Sequence, residues 1–348
     1  MIALPDFLPQ KPYLPHPYYS MDVLSEVLRA VKLEGAIFFN GEFSAPWCLN
    51  SSPSRMAPLL MKNGGHLIIF HFLIEGKAYV RVPGHSSIQM ASGDIVIVPH
   101  GTNHLLGNGV AKPVDSVDKF AKNLTQGLKV AHFGGGGETT KFVCGYMVCE
   151  PRQSEVLLSG LPDAFVVSTG KEPSGVWFEQ SIRLSVEAVN AERSGSQAVL
   201  AKMSELLFVE ALRRYIQGLP AEQTGWLAGT RDPMIGQALS MMHENPAFPW
   251  SIDRLVKKVG VSRTGLAERF RHYLRQSPMA YLATWRLILA AEKLQTPGRS
   301  VAEIAAEVGY GSEAALNRAF KRHYGLPPAQ FRKTRTSNGN AKAARAGR

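Results

Sequence analysis

The chain has 348 residues, 45% of them hydrophobic and 19% charged, which supports real apolar cores and argues against wholesale disorder. No apolar run approaches the about 18 residues of a spanning helix, and three cysteines (Cys48, Cys144, Cys149) are too few for a disulfide scaffold. The net charge of +11 is unevenly placed: residues 251–348 hold 19 Lys and Arg against 6 Asp and Glu, a net of +13, and residues 1–250 carry a net of −2. Such an excess attracts a polyanion, nucleic acid first, with a solvated basic surface or an anionic membrane as the alternatives.

Residues 1–34 read as an N-terminal arm and a short helix. Pro5, Pro9, Pro12, Pro15 and Pro17 interrupt the start, so no secretory signal is expected and the setting is reducing and cytoplasmic. Val23, Leu24, Val27, Leu28 and Val31 then recur at helical spacing. From about 35 to 150, short apolar runs between Gly and Pro signals predict strands, near 65–76, 77–82 and 93–99 among others. Many short strands predict a sandwich or small barrel. Gly134 to Gly137 read as a loop, because a phosphate cradle needs a following helix and a Lys.

Residues 196–234 read as a dimerisation helix and linker. Val199, Leu200, Met203, Leu206, Leu207, Leu212, Tyr215 and Ile216 give the helix a wide apolar face, suited either to the first domain's core or to a homodimer. Gly218, Pro220, Gly225, Gly229 and Pro233 mark the linker. From 235 to 333 the pattern is helical, and 334–348 reads as a disordered basic tail.

The helical part contains a repeat. Ile252, Leu255, Val259 and Gly260 recur as Val301, Ile304, Val308 and Gly309. Beyond the turn, Ser262 maps onto Ser312, Leu266 onto Leu316, Phe270 onto Phe320 and Pro278 onto Pro328. Each unit reads helix, Gly turn, helix, with Ser262 or Ser312 as N-cap and a Leu/Phe pair at i,i+4 pinning the second helix. That leaves Arg263, Thr264, Ala267, Glu268 and Arg271 outward in the first unit, and Glu313, Ala314, Asn317, Arg318 and Lys321 in the second. Such helices can read DNA, and the apolar stretch from Pro278 to Leu294 would space two of them to enter successive major-groove segments.

Residues 235–333 resemble the AraC/XylS-type DNA-binding domain. The match runs through Ser262-Arg-Thr-Gly-Leu-Ala-Glu-Arg-Phe270, Pro278, Tyr281, Ile304-Ala-Ala-Glu-Val-Gly-Tyr310, the stretch from Ser312 to Gly325, and Pro327 with Pro328. The resemblance implies two helix-turn-helix units on promoter DNA. Two departures stand out. Glu268 occupies a position where the family usually has Arg, and Arg275 replaces the Gly that follows the first reading helix, although Gly325 is kept in the second. Glu accepts from cytosine N4 but repels phosphate, and Arg275 must avoid or tolerate a left-handed backbone.

Upstream, Gly93-Asp-Ile-Val-Ile-Val-Pro-His-Gly-Thr-Asn-His104 followed by Asn108 resembles the second cupin motif. That implies a small antiparallel β-barrel within a sensor domain at 35–195, and residues 59–162 resemble the cupin-type half of a subgroup of AraC-type regulators. The first cupin motif supplies His-x-His and a Glu; here only His71 and Glu75 fit, with Ile69 in place of the other His. Strand alternation puts 71 and 75 on one face. With His104 they form a two-His, one-carboxylate set suited to a divalent metal such as Zn or Fe, or else act as metal-free hydrogen bonders at the barrel mouth. Cys144 and Cys149 fall on opposite strand faces, as buried structural thiols or with Cys144 as a redox-responsive one.

The expected fold is therefore an all-β cupin-like barrel followed by an all-α double helix-turn-helix domain. The expected function is a cytoplasmic transcription regulator, not an enzyme. It would be a homodimer binding double-stranded promoter DNA and a small-molecule, metal or oxidant effector, with RNA polymerase as a further partner and no membrane. A cupin metalloenzyme with a DNA-targeting appendage is the competing reading, weakened by the missing His-x-His. A constitutive DNA-binding architectural protein with a degenerate barrel is the third.

Overall fold

The computed structural model describes residues 22–61, 65–117, 128, 130–170, 173–220, 222–296 and 298–333. The expected arm at 1–20 and tail at 334–348 lie outside them. Among the described residues eleven strands run β1 (Glu34–Ser44), β2 (Trp47–Ser51), β3 (His66–Glu75), β4 (Lys77–Arg81), β5 (Ile88–Ala91), β6 (Asp94–Val98), β7 (His104–Asn108), β8 (Val114–Asp115), β9 (Ala131–Gly134), β10 (Thr139–Cys149) and β11 (Phe165–Ser168). They form a six-stranded sheet, β11-β6-β3-β10-β1-β9, and a five-stranded one, β5-β4-β7-β2-β8. Pairing is antiparallel except where short β9 joins β1 and short β8 joins β2.

Strand β3 is apolar on both faces because both are covered. Its Leu67, Ile69 and Leu73 point between the sheets, among Phe39, Phe43, Val96, Leu106 and Phe142. Its Ile68, Phe70 and Phe72 point the other way, into a core shared with helices. Cys144 sits in the first cluster and Cys149 in the second, so the two thiols do face opposite sides of β10.

Among the described residues, twelve helices accompany the sheets: α1 (Val23–Val31), α2 (Pro53–Leu60), α3 (Pro151–Leu158), α4 (Pro173–Asn190), α5 (Ser196–Gly218), α6 (Trp226–Gly229), α7 (Pro233–Glu244), α8 (Ile252–Val259), α9 (Arg263–Leu274), α10 (Pro278–Lys293), α11 (Val301–Glu307) and α12 (Glu313–Tyr324). Among these described helices none is long and apolar enough to cross a membrane. Helix α5 packs on β1, β10, β11 and α4 through Leu200, Leu207, Phe208, Ala211 and Leu212. Helix α1 is capped by Asp22 and buries one stripe, Val23, Val27, Ala30 and Val31, against α3, α7 and α10. An N-terminal helix thus rests on the C-terminal half.

The stretch 218–234 is less of a linker than its Gly and Pro content predicts. Trp226, Leu227 and Ala228 are buried, and α6 packs on α3 and α9. Its Gly225 lies backbone to backbone against Gly160, where an added Cβ would meet Gly160 Cα at 2.9 Å. The Gly225 N–H donates to the Tyr273 carbonyl at 2.9 Å, near the end of α9. Trp226 Nε1 donates to Tyr281 Oη at 2.9 Å, and that hydroxyl donates to His243 Nε2 at 2.7 Å. Burial lowers His243 to about 3, so it stays a neutral acceptor.

Helix α10 separates two cores. Tyr281, Leu282, Trp285 and Ile288 enter the large core that continues into the N-terminal half. Leu287, Ala290, Ala291 and Leu294 face a smaller one with Ile304, Val308, Leu316, Phe320 and Phe331.

Candidate functional site

The two units of the repeat are built alike. Ser262 Oγ accepts from Gly265 N at 3.0 Å to start α9, and Ser312 Oγ accepts from Ala315 N at 3.2 Å to start α12, caps worth about 1 kcal/mol each. Leu266 and Phe270, and Leu316 and Phe320, are fully buried, each contributing about 1.5–3 kcal/mol of apolar burial. With the anchors inside, Arg263, Thr264, Glu268 and Arg271 on α9 and Glu313, Ala314, Arg318 and Lys321 on α12 are exposed, while Ala267 and Asn317 are half-buried. Two polar faces therefore stand on rigid supports. Arg263 is not free: it is ion-paired with Asp253 of α8. Arg275 adopts the left-handed backbone, φ 56°, where the second unit has Gly325 at φ 80°.

The barrel interior does not assemble the expected metal set. His71 is 3% and His104 1% exposed, and their Nε2 atoms are 2.8 Å apart. Glu75 is elsewhere, exposed and ion-paired with Lys141 at 2.7 Å. The reason is a β-bulge: Leu73 pairs with Phe142 and Glu75 with Lys141, leaving Ile74 as an extra residue. The bulge shifts the alternation by one, so 71 and 75 face opposite sides. Two nitrogens bound to one tetrahedral ion stand roughly 3.3 Å apart, wider than this pair. Among the described residues no group of three His, Cys, Asp or Glu is placed to hold a metal ion. The arrangement does not fit the metal that the cupin resemblance implies.

The interior holds a directed hydrogen-bond chain instead. The Thr102 carbonyl accepts from His104 Nδ1–H at 2.8 Å. Neutral His104 then accepts at Nε2 from His71 Nε2–H, and His71 Nδ1 accepts from the Cys144 S–H at 2.8 Å. Because a carbonyl only accepts, it fixes every tautomer along the chain. Burial, reinforced by His104, holds His71 well below the usual imidazole range, and burial lowers His104 to about 4 and pushes the Cys144 thiol up. All three are neutral at pH 7. A cavity of about 20 Å³ adjoins His71 and Cys144, with Ser51 and Ser116 also on its wall. That is room for about one water.

Residues 22–217 match the Cupin family, and residues 255–334 match the Helix-turn-helix domain family. A protein of Streptomyces lividans named as an AraC-like transcription regulator is 30% identical over 319 residues, covering 90% of this chain and 98% of that one. This chain belongs to the AraC-like transcription regulators. A second AraC-like regulator, from Streptomyces antibioticus, is 29% identical over 90% of this chain and 99% of its own length. An HTH-type transcriptional regulator of Haemophilus influenzae is 27% identical over 90% and 99%. As an AraC-like regulator with a cupin N-terminal half, the protein binds DNA through its C-terminal domain.

Several residues that shape this regulator escape a sequence reading. Asp232 caps α7 by accepting from Met234 N and Ile235 N, both at 3.0 Å, and also pairs with Arg269 of α9. Its cap signal, Asp before Pro233, is legible; the pairing with Arg269 is not. The Cys144–His71 contact follows from their direct cross-strand pairing, visible only once β3 and β10 are in register.

Proposed function

We propose that this regulator recognises a specific promoter sequence through the outward faces of α9 and α12, acting in the cytoplasm as a homodimer. The observation that carries the reading is the pair of Ser-capped helices whose Leu/Phe anchors are buried while all ten outward residues stay exposed or half-exposed. Arg318, Lys321, Arg263 and Arg271 supply the charge-assisted contacts, so affinity falls steeply with salt. Arg318 and Asn317 are suited to base edges, and Glu268 to cytosine N4.

Dimerisation is supported by a stripe on the helical pair beside the barrel. Trp177 and Leu184 on α4, and Val199 and Leu206 on α5, are each seven residues apart and 42–64% exposed. Two helical turns place each pair on one face, and apolar stripes left in water mark association surfaces. In the sensor half, the small cavity suits an effector of a few atoms. An oxidant would meet the Cys144 thiol there, a metal would lack a third donor, and an organic molecule would need the barrel to open.

Footprinting the full chain on duplexes selected from a random library tests the reading. Protection of two successive major-groove segments on one face of the duplex is expected. Binding without sequence preference would favour the architectural alternative, and no duplex binding at low salt would overturn the proposal.

A further inference from the structure

The two units have separate cores, so something besides α10 must fix how they sit relative to each other. Arg286, on α10 between those cores, is placed to do so. Its Nε donates to the Pro246 carbonyl at 2.8 Å and its Nη2 to the Phe248 carbonyl at 2.9 Å. Those carbonyls belong to the loop that leads into α8 of the first unit. The loop is itself braced: Trp250 Nε1 donates to the Asn245 carbonyl at 2.9 Å, and Arg254 lies over the Phe248 ring at 5.3 Å.

The same guanidinium also meets the second unit. Gly309, in the turn between α11 and α12, lies so close that an added Cβ would stand 2.8 Å from Arg286 Nη2, 2.9 Å from its Cζ and 2.8 Å from Ala247 Cα. Tyr310, the next residue, is within electrostatic range of Arg286. The equivalent glycine of the first unit, Gly260, would place its Cβ in open space. Both glycines have positive φ, 77° and 86°, so the turn conformation alone explains Gly260 but not the tight seat of Gly309.

From this we infer that Arg286 is a positioning residue that sets the spacing between the two reading helices, by clamping the 246–248 loop of one unit onto the Gly309 turn of the other. The inference rests on both helices contacting DNA, as proposed above. Arg suits the task because its planar fork can hold two carbonyls while a flat face packs on a bare backbone. The clamp acts on geometry and touches no base.

The test uses the full chain on a duplex selected by the unaltered protein, and on derivatives with one base pair inserted or deleted between the two protected segments. The unaltered protein should lose at least about tenfold in affinity on each altered spacing, since one base pair both lengthens and rotates the site. Arg286→Ala should bind the selected duplex less tightly, yet lose less than about threefold when the spacing changes. A residue that only stabilised the fold would lower binding on every duplex and leave the spacing penalty intact. Should Arg286→Ala fail to fold, Arg286→Lys, which keeps charge and stem but cannot span both carbonyls, carries the same comparison. A spacing penalty equal to that of the unaltered protein overturns the inference. A single protected segment in the unaltered protein would instead overturn the reading of two DNA-contacting helices.

Discussion

The first and second helix-turn-helix units began as one pattern and are supported differently. Both carry a serine cap, a buried Leu/Phe pair and an outward polar face. Behind the first unit, the core runs without a break through α7, α1 and α6 into the N-terminal half, and Gly225 touches both Gly160 and the end of α9. Behind the second, among the described residues, lie a separate small core and the back of α10, and His323 near the end of α12 is within electrostatic range of Glu155 and Arg152 on α3. A change in the barrel therefore has a continuous apolar route to α9, while α12 follows through α10, the loop at 246–248 and the charges of α3 beside His323. The difference teaches that a sequence repeat sets local construction, and the neighbours decide which copy can be controlled.

The largest expected break in this comparison is Leu316→Asp. It buries a carboxylate in the small core and should cost more than about 4 kcal/mol, unfolding α11 and α12 while the rest of the chain stays folded. Leu266→Asp places the same charge in the shared core and should loosen the N-terminal half as well. Amide hydrogen exchange resolves the two. Loss of protection confined to one unit in both variants would remove the claimed asymmetry.

Gly309→Ala against Gly260→Ala comes next. Both substitutions force Ala into a positive-φ turn, worth roughly 1–2 kcal/mol. Only at 309 must backbone also move, because the new Cβ would stand 2.8 Å from Ala247 Cα, and overpacking adds roughly 1–3 kcal/mol. Exchange rates of α11 and α12 should rise several-fold more in the first variant than those of α8 and α9 in the second. Equal effects would mean the seat of Gly309 is soft.

How much of this was legible follows the range of each interaction. The caps at Ser262 and Ser312 and the i,i+4 anchors are local, so spacing alone placed them. The barrel was legible because strand runs and Gly/Pro turns are local too. The metal set failed because Glu75 was placed by alternation, and one extra residue at Ile74, set by pairing with β10, reverses its face. The packing of the linker was hidden for a similar reason: Gly and Pro mark a break in regular structure, while the burial of Trp226 depends on Tyr281, 55 positions away.

A smaller effect separates the outward faces. Arg318→Ala should relax preference at one base position by about 1–3 kcal/mol, measured by competition among single-base variants of the selected duplex. Arg263→Ala should change discrimination less, by under about 1 kcal/mol, because Arg263 must leave Asp253 before it can contact a base. A larger loss for Arg263 would show that the pair with Asp253 aims it at the groove instead of holding it back.

The smallest expected effect concerns the ends of α9 and α12. Gly325 takes its left-handed position freely, whereas Arg275 holds φ 56° with a side chain, at a strain of roughly 1–2 kcal/mol. Arg275→Gly relieves that strain, but the greater freedom of Gly in the unfolded chain returns about 0.4–1 kcal/mol. The net should be a gain of about 0.5 kcal/mol for the first unit, read as slower exchange in α9. Arg275 is also an exposed cation at the end of α9. If it touches phosphate, the same variant lowers the salt slope of DNA binding by about one. A more stable unit with an unchanged slope would make Arg275 a tolerated defect; a flatter slope would show that charge at this position is retained at the expense of the cap.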